Sequence, residues 1–516
     1  MPFRIKSIIP FCFALLMMGC NDTPPVFLAH YPQIDMLIEG GQVLDGLGHE
    51  AILADVVIVG DTIVYVGETH FSASDRDSRI KQHIDAAGRI VSPGFIDLHS
   101  HGDPMETPAF ENFLAMGVTT ITLGQDGESP ETADLGAWLA TVIKQKIGTN
   151  LAMFVGHGTL RTLSGIDRQA IPSTQDMANM LTLLDETLAY SFGMSTGLEY
   201  NPGLNAQANE MQALAKVVGE RDRMIMSHMR NEDDDKLNAS IDELLAQGEF
   251  ARVHISHLKS VYGKGSQRAD EILKILADAR QSGIEITADV YPYNASYAGI
   301  ALLFPIWAKS AEQFQQAKSE RRAELEEYLR NRIARRNGPQ ATLMGTDPYT
   351  GKTLADLSRE MVMPFEQVLI DVIGPQGAAG AYFVMNDELQ STLLADPNVS
   401  ICSDGRPTGF HPRGHGTFAK IIEEYVNKRH LLSLTQAVRK MTSQPAAILG
   451  LEDRGVIAAD KKADLLIFNP DNIKATATYP QPLQLAKGFD VVIVNGQIAR
   501  HNSKLAPTLS GLVLKP

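Results

Sequence analysis

Residues 90–101, Ile90-Val-Ser-Pro93-Gly-Phe-Ile-Asp97-Leu-His99-Ser-His101, open on an apolar run and close on two histidines separated by one residue. A strand period of two puts His99 and His101 on one face, where they can grip a single ion. Seven more apolar runs follow, most with a helical stretch after them: Val118 to Leu123, Leu151 to Val155, Ala189 to Ser195, Met224 to Ser227, Val253 to Ser256, Ile284 to Val290 and Val399 to Ser403. Eight strands alternating with helices predict an α/β chain folded as a (β/α)8 TIM-like barrel, with its active site at the C-terminal ends of the strands. The stretch from about 298 to 397 is too long for one crossover and carries a charged helical run, Glu312 to Arg336. It reads as an insertion over the barrel mouth, either a lid or a structural helical insert.

Outside the barrel both chain ends read as short strands broken by glycine. Asp55-Val-Val-Ile-Val-Gly60 and Thr62-Ile-Val-Tyr-Val-Gly67 at one end match Ala463-Asp-Leu-Leu-Ile-Phe468 and Asp490-Val-Val-Ile-Val-Asn495 at the other. They predict one small β-sandwich built from residues 31–88 and 446–516, flanking a barrel over 89–445. At the N-terminus Arg4 and Lys6 precede an apolar run, Ile8 to Met18, that is too short to span a bilayer and suits a signal-peptide core over residues 1–19.

That run ends in Leu16-Met17-Met18-Gly19-Cys20, which resembles a bacterial lipoprotein signal, with Met17 where that pattern most often has Leu. Cys20 is expected to be the acylated first residue of the mature chain, with residues 20–30 as a linker. The expected location is the periplasm, held to a membrane by lipid; the alternative is a soluble periplasmic protein released by an ordinary signal. Cys12 would leave with the signal, so Cys402 would be the one remaining thiol and no intrachain bridge could form.

The composition, 44% hydrophobic and 21% charged in 516 residues, excludes disordered, collagenous and multi-spanning chains. A net charge of −15 removes the main driving force for binding nucleic acid. Loss of Arg4 and Lys6 makes the mature chain more acidic still, so a hold on an anionic membrane needs acyl chains, and more than one.

The chemistry-bearing residues stand at strand ends. Beyond His99 and His101 they are Asp126 in Gly124-Gln-Asp-Gly127, His228 in Met226-Ser-His-Met-Arg230, His257 in Ile255-Ser-His-Leu-Lys259 and Asp404 in Cys402-Ser-Asp-Gly405. Imidazole and carboxylate are ordinary ligands for Zn2+ or a similar divalent ion, and five such groups, His99, His101, Asp126, His228 and His257, at one level of a barrel point to a metal site. Other polar residues read as structural. His254 falls on the opposite face from His257, the run Glu232 to Asp235 reads as a solvated loop, Arg230 as either a strut or a substrate contact, and Cys402 as a buried inert thiol.

On these residues the chain resembles the amidohydrolase superfamily and, within it, the N-acyl-D-amino-acid deacylases (D-aminoacylases). The resemblance rests on Pro93 to His101, Ser191-Phe-Gly-Met-Ser-Thr-Gly-Leu-Glu-Tyr200, Ser227-His-Met-Arg-Asn-Glu232, Ser256-His-Leu-Lys259, Ser403-Asp-Gly405, and His411-Pro-Arg413 with Gly416-Thr-Phe418. It implies a zinc-dependent barrel in which His228 and His257 hold the principal ion, His99 and His101 approach it or a second ion, and Asp404 is the general base. The sequence departs from the family at Asp126, where a Cys is common; a carboxylate there can bind one ion or bridge two, and it admits Mn2+ or Co2+.

Amide hydrolysis needs a polarised carbonyl and an activated water, which a metal supplies without a serine or cysteine nucleophile. The α-carboxylate of an N-acyl amino acid needs a cation, for which Arg413 is the first choice on bidentate geometry and on the resemblance. Lys259, on the face of His257, and Tyr291 complete the expected clamp. Two alternatives remain. A cyclic-amide or small-peptide hydrolase on the same scaffold is weakened because Ser191 to Tyr200 lacks the lysine that cyclic-amide hydrolases often carboxylate. A non-catalytic envelope binding lipoprotein would have no need for both the ligands and Asp404.

Overall fold

A computed structural model describes residues 30–71, 76 and 78–516, so the signal segment and Cys20 lie outside the described residues. The eight barrel strands are β1 (Phe95–Asp97), β2 (Val118–Leu123), β3 (Asn150–Met153, continued by Val155–Gly156), β4 (Gly193–Gly197), β5 (Met224–His228), β6 (Arg252–Ile255), β7 (Ile286–Val290) and β8 (Val399–Ile401). Neighbours pair in parallel from β1 to β3 and from β3 to β8. The barrel closes where Asp404 N donates to His99 O and His101 N to Gly405 O, both at 2.8 Å. β2 and β5 are buried along their whole length, as strands covered on both faces must be.

The two chain ends form a second, nine-stranded sheet. Leu465–Phe468 pairs with Ile90–Pro93, which pairs in turn with Ile34–Val43. Its edge strand Thr62–Gly67 curls back to the chain entering Leu465, through Ile63 N to Lys461 O and Ala463 N to Asp61 O at 2.8 Å each. Ile38, Val56, Ile58, Leu465 and Ile493 fill its interior. Leu466 and Phe489 face outward onto the barrel, where Phe489 meets Phe95 edge-on at 5.7 Å.

Several sequence boundaries shift. The run Ile90 to Asp97 is two strands: Ile90–Pro93 belongs to the flanking sheet and only Phe95–Asp97 to the barrel, because Pro93-Gly94 turns the chain between them. Residues 189–192 of the fourth run precede their strand. The last residues return to the barrel, Leu514 N donating to Leu151 O and Leu151 N to Leu512 O, so the C-terminal part is not confined to the flanking sheet.

The insertion is shorter than its expected 298–397. Helix Asp387–Ala395 packs beside helix Gly265–Gln281 in the barrel's outer ring. What remains is a three-stranded antiparallel sheet (Ser296–Gly299, Thr342–Met344, Ala379–Tyr382) with helices Ala311–Glu320 and Arg322–Arg335. Its core of Leu325, Leu329, Phe304 and Met344 is continuous with Tyr291 and Cys402 of the barrel mouth.

Candidate metal centre

Register brings the predicted ligands to one level. Gly197 lies opposite His228 and Ser227 opposite Ile255, so the ends of β4, β5 and β6 share a rim. Asp126, His257 and Asp404 each follow their strand in a left-handed conformation, with φ of 55°, 41° and 50°. Such a backbone costs a non-glycine residue of order 1–3 kcal/mol, and three at one site show a rim over-determined by its surroundings. The approach is close: a Cβ on Gly197 would stand 1.9 Å from Asp126 O.

Two groups of side chains meet at Asp126. On one side His99 Nε2 lies 3.2 Å from Asp126 Oδ1, and His101 Nε2 lies 3.5 Å from Asp126 Oδ2 and 3.3 Å from Asp404 Oδ1. On the other, His257 Nε2 is 3.4 Å and His228 Nδ1 3.7 Å from Asp126 Oδ1, with these two nitrogens 3.0 Å apart. The ligand atoms of each group fall within 4.8 Å of one another. Both ring nitrogens of His99 are buried without a hydrogen-bond partner among the described residues. Convergent imidazoles, two carboxylates and an orphaned buried imidazole fit one or two divalent ions, with Asp126 the group common to both positions.

The charge state follows from this crowding. Burial opposes a charge on His99, yet Asp126 and Asp404 push its pKa up to about 9. At His101 burial prevails and pulls the value down to about 4. Burial also opposes ionisation of Asp126, but His99, His257 and His228 together hold it well below the usual carboxylate range.

The outer nitrogens of the second pair face carboxylates. His228 Nε2 is 3.3 Å from Glu199 Oε2, and His257 Nδ1 is 3.2 Å from Glu232 Oε1. A carboxylate behind an imidazole fixes its tautomer and directs the other nitrogen to the ion. The ring of Tyr200 covers His228 at 4.5 Å. Below, Asp289 accepts from His257 N at 2.5 Å and faces His254 Nε2 at 2.9 Å, so His254 braces the rim from beneath.

The expected substrate clamp is present, with partners of its own. Arg413 Nη1 is 2.7 Å from Asp404 Oδ2. Burial opposes ionisation of Asp404, but this guanidinium together with His257, His101 and His99 outweighs it and holds the carboxyl well below its ordinary range. Lys259 Nζ donates to Glu232 Oε1 at 2.6 Å and approaches His257 Nδ1 at 2.7 Å. Tyr291 is fully buried with its ring 5.7 Å from Lys259 Nζ and 5.0 Å from the Arg413 guanidinium, and its hydroxyl has no partner among the described residues. His411 sets the loop: its Nδ1 accepts from Arg413 N at 3.0 Å while Nε2 meets Ala295 O at 3.1 Å.

The reading of Glu232 to Asp235 as a solvated loop is half wrong. Asp234 and Asp235 are in or near solvent, but Glu232 and Asp233 are buried because distant segments bring them cations, Lys259 from beyond β6 and Arg332 from the insertion. Glu199, the penultimate residue of the stretch Ser191 to Tyr200, has no role in the sequence reading; its signal is its place two residues beyond the end of β4. Arg230 is a strut, bound to Glu243 and to the carbonyls of Leu204 and Ala206. Cys402 is buried, which raises its thiol pKa well above the ordinary value and leaves it inert.

Residues 320–500 match the amidohydrolase family. Over 491 residues the chain is 32% identical to the N-acyl-D-glutamate deacylase of Alcaligenes xylosoxydans xylosoxydans, a match that covers 90% of this chain and 93% of that protein. The crystal structure of N-acyl-D-glutamate deacylase from Bordetella bronchiseptica, with zinc and a phosphonate mimic of the tetrahedral intermediate, aligns with a TM-score of 0.80 at 29% identity, covering 94% of this chain and 100% of that one. A D-aminoacylase structure that describes a binuclear metal centre, with one-metal activation and second-metal attenuation, aligns with a TM-score of 0.80 at 26% identity, over 94% and 100% of the two chains.

Proposed function

The chain belongs to the N-acyl-D-amino-acid deacylases of the amidohydrolase superfamily, and from that premise we propose that it hydrolyses the amide bond of N-acyl-D-amino acids at a divalent metal centre, zinc in first place. The observation that carries this reading is Asp126, shared by two histidine pairs, beside an Asp404–Arg413 pair 2.7 Å apart. His228, His257 and Asp126 would hold the principal ion, and His99 and His101, with Asp126 and Asp404 in reach, a second. The ion supplies carbonyl polarisation and acidified water.

The chain's own residues do the rest. Asp404 takes the proton of the attacking water and returns it to the leaving nitrogen, so that an amine and a carboxylate separate. Arg413 presents its fork to the α-carboxylate, with Lys259 and the free hydroxyl of Tyr291 beside it. Arg413 is paired with Asp404 at 2.7 Å, so an α-carboxylate bound to the same guanidinium would offset its positive charge at Asp404 and raise the basicity of that carboxylate. The pocket lined by Asp404, Arg413 and Lys259 has a volume of about 230 Å³, the scale of a small molecule.

The deciding experiment offers metal-loaded protein matched N-acyl-D- and N-acyl-L-amino acids together with cyclic amides and follows amine release. Turnover confined to the D series is expected; a preference for the L series or for rings would sink the reading. For location, the Arg4–Cys20 signal supports a periplasmic lipoprotein anchored at Cys20. Labelling with a palmitate analogue should mark the wild type and not Cys20→Ala, which should leave the membrane fraction.

A further inference from the structure

Three cations of the insertion end on the loops that follow β4, β5 and β6, behind the principal metal position. Lys309 Nζ donates to Glu199 O, beyond β4, at 3.4 Å. Arg332 Nη1 is ion-paired with Asp233 Oδ2, one residue past Glu232 in the loop after β5, and donates to Tyr262 Oη in the loop after β6 at 3.1 Å. Arg336 Nη1 stands 3.5 Å from the other oxygen of Asp233. Glu199 is the second acid whose charge reaches Arg332 and Arg336. The insertion therefore meets both loops that carry the outer carboxylates, Glu199 and Glu232.

The loops after β5 and β6 lie side by side, Val261 N donating to Glu232 O at 2.8 Å and Asp234 N to Val261 O at 3.0 Å. Arg332 is set across this pairing with its side chain 13% exposed, and Leu325, Leu329 and Ile333 bury the other face of its helix. Glu232 faces His257 Nδ1, and a carboxylate orients an imidazole only as firmly as its own backbone is held. His99 and His101 stand on β1 and, among the described residues, have no hydrogen bond or ion pair to the insertion. We propose, on the premise of the metal-centre reading, that Arg332 is a positioning residue for the principal ion: through Asp233 it fixes Glu232 behind His257, so the segment that walls the pocket also sets how firmly that ion is held.

The test reads metal and not turnover. Wild type and variants are titrated with zinc against a chromogenic chelator, which gives the affinity for the first and for the second equivalent. Arg332→Gln should weaken the first by about three- to tenfold, less than the 10- to 100-fold of a direct imidazole partner, and leave the second within about twofold. Arg332→Lys should recover part of the loss. Asp233→Asn, which keeps the side chain's shape, should match Arg332→Gln, and the double variant should be no weaker than either single one, because the two residues act through one contact. If Arg332→Gln does not fold, Asp233→Asn gives the reading. Arg322→Gln cuts an ion pair with Asp371 inside the insertion and should leave zinc affinity unchanged. Wild-type affinity in Arg332→Gln or its stand-in, equal losses for both equivalents, or the same loss in Arg322→Gln would overturn the proposal, since each makes Arg332 a docking contact of the insertion and nothing more. A wild type that binds no divalent ion would instead overturn the metal-centre reading, and this inference with it.

Discussion

The two halves of the barrel mouth hold similar ligands in different ways. His228 and His257 each stand between Asp126 and an outer carboxylate, Glu199 or Glu232. Among the described residues His99 and His101 are in ion-pair range of the shared acids Asp126 and Asp404 alone, and His99 has no hydrogen-bond partner on either ring nitrogen. A backed imidazole is already oriented and in the right tautomer, so an ion entering at His228 and His257 meets less reorganisation. The difference predicts a tight position at His228–His257 and a weaker one at His99–His101.

The largest effect should come where the weaker half does chemistry. Asp404→Asn is expected to keep the tight ion and lower kcat by about 10²–10⁴, the range for loss of a general base. Near-normal turnover in a metal-replete variant would reassign the base. Next, Glu199→Gln and Glu232→Gln should weaken the tight ion by about 10- to 100-fold, measured by chelator competition. If both bind metal as the wild type does, the outer carboxylates do not distinguish the two halves.

The acidity of the two sites sharpens the comparison further. In the metal-free protein His99 keeps its proton below about pH 9, and that proton must leave before the imidazole can bind an ion. Occupancy of the weaker position should therefore strengthen by up to about tenfold per pH unit from neutrality and level off above pH 9. His101, pulled down to about 4, adds no such dependence in this range. Calorimetry in buffers of differing ionisation enthalpy would count the proton; none released at pH 7 would contradict the assignment. The smallest effect concerns Asp126, whose harder carboxylate should leave the Mn2+ and Co2+ forms within a few-fold of the zinc form in turnover. Unchanged metal content and preference in Asp126→Ala would remove it from the ligand set.

What the sequence determined by itself was whatever depends on period and local chemistry. Alternation places His99 with His101, and parallel strands covered on both faces must be apolar, so the strand ends and the polar groups on them stand out along the chain. That is why the barrel, the flanking sheet and the side chains around Asp126 are legible in the sequence alone.

The remainder depended on pairings between segments far apart in the chain, which no local pattern records. Glu232 looks like the start of a solvated acidic run until β6 brings Lys259 to 2.6 Å. Ile90 to Asp97 looks like one strand until Leu465–Phe468 claims its first half. Arg336 looks like the end of a charged surface helix, and only the folding of the insertion over the mouth buries it against Asp233 and into the pocket wall. A charged side chain is solvated or buried according to which counter-charge the fold delivers, and that delivery belongs to the tertiary structure alone.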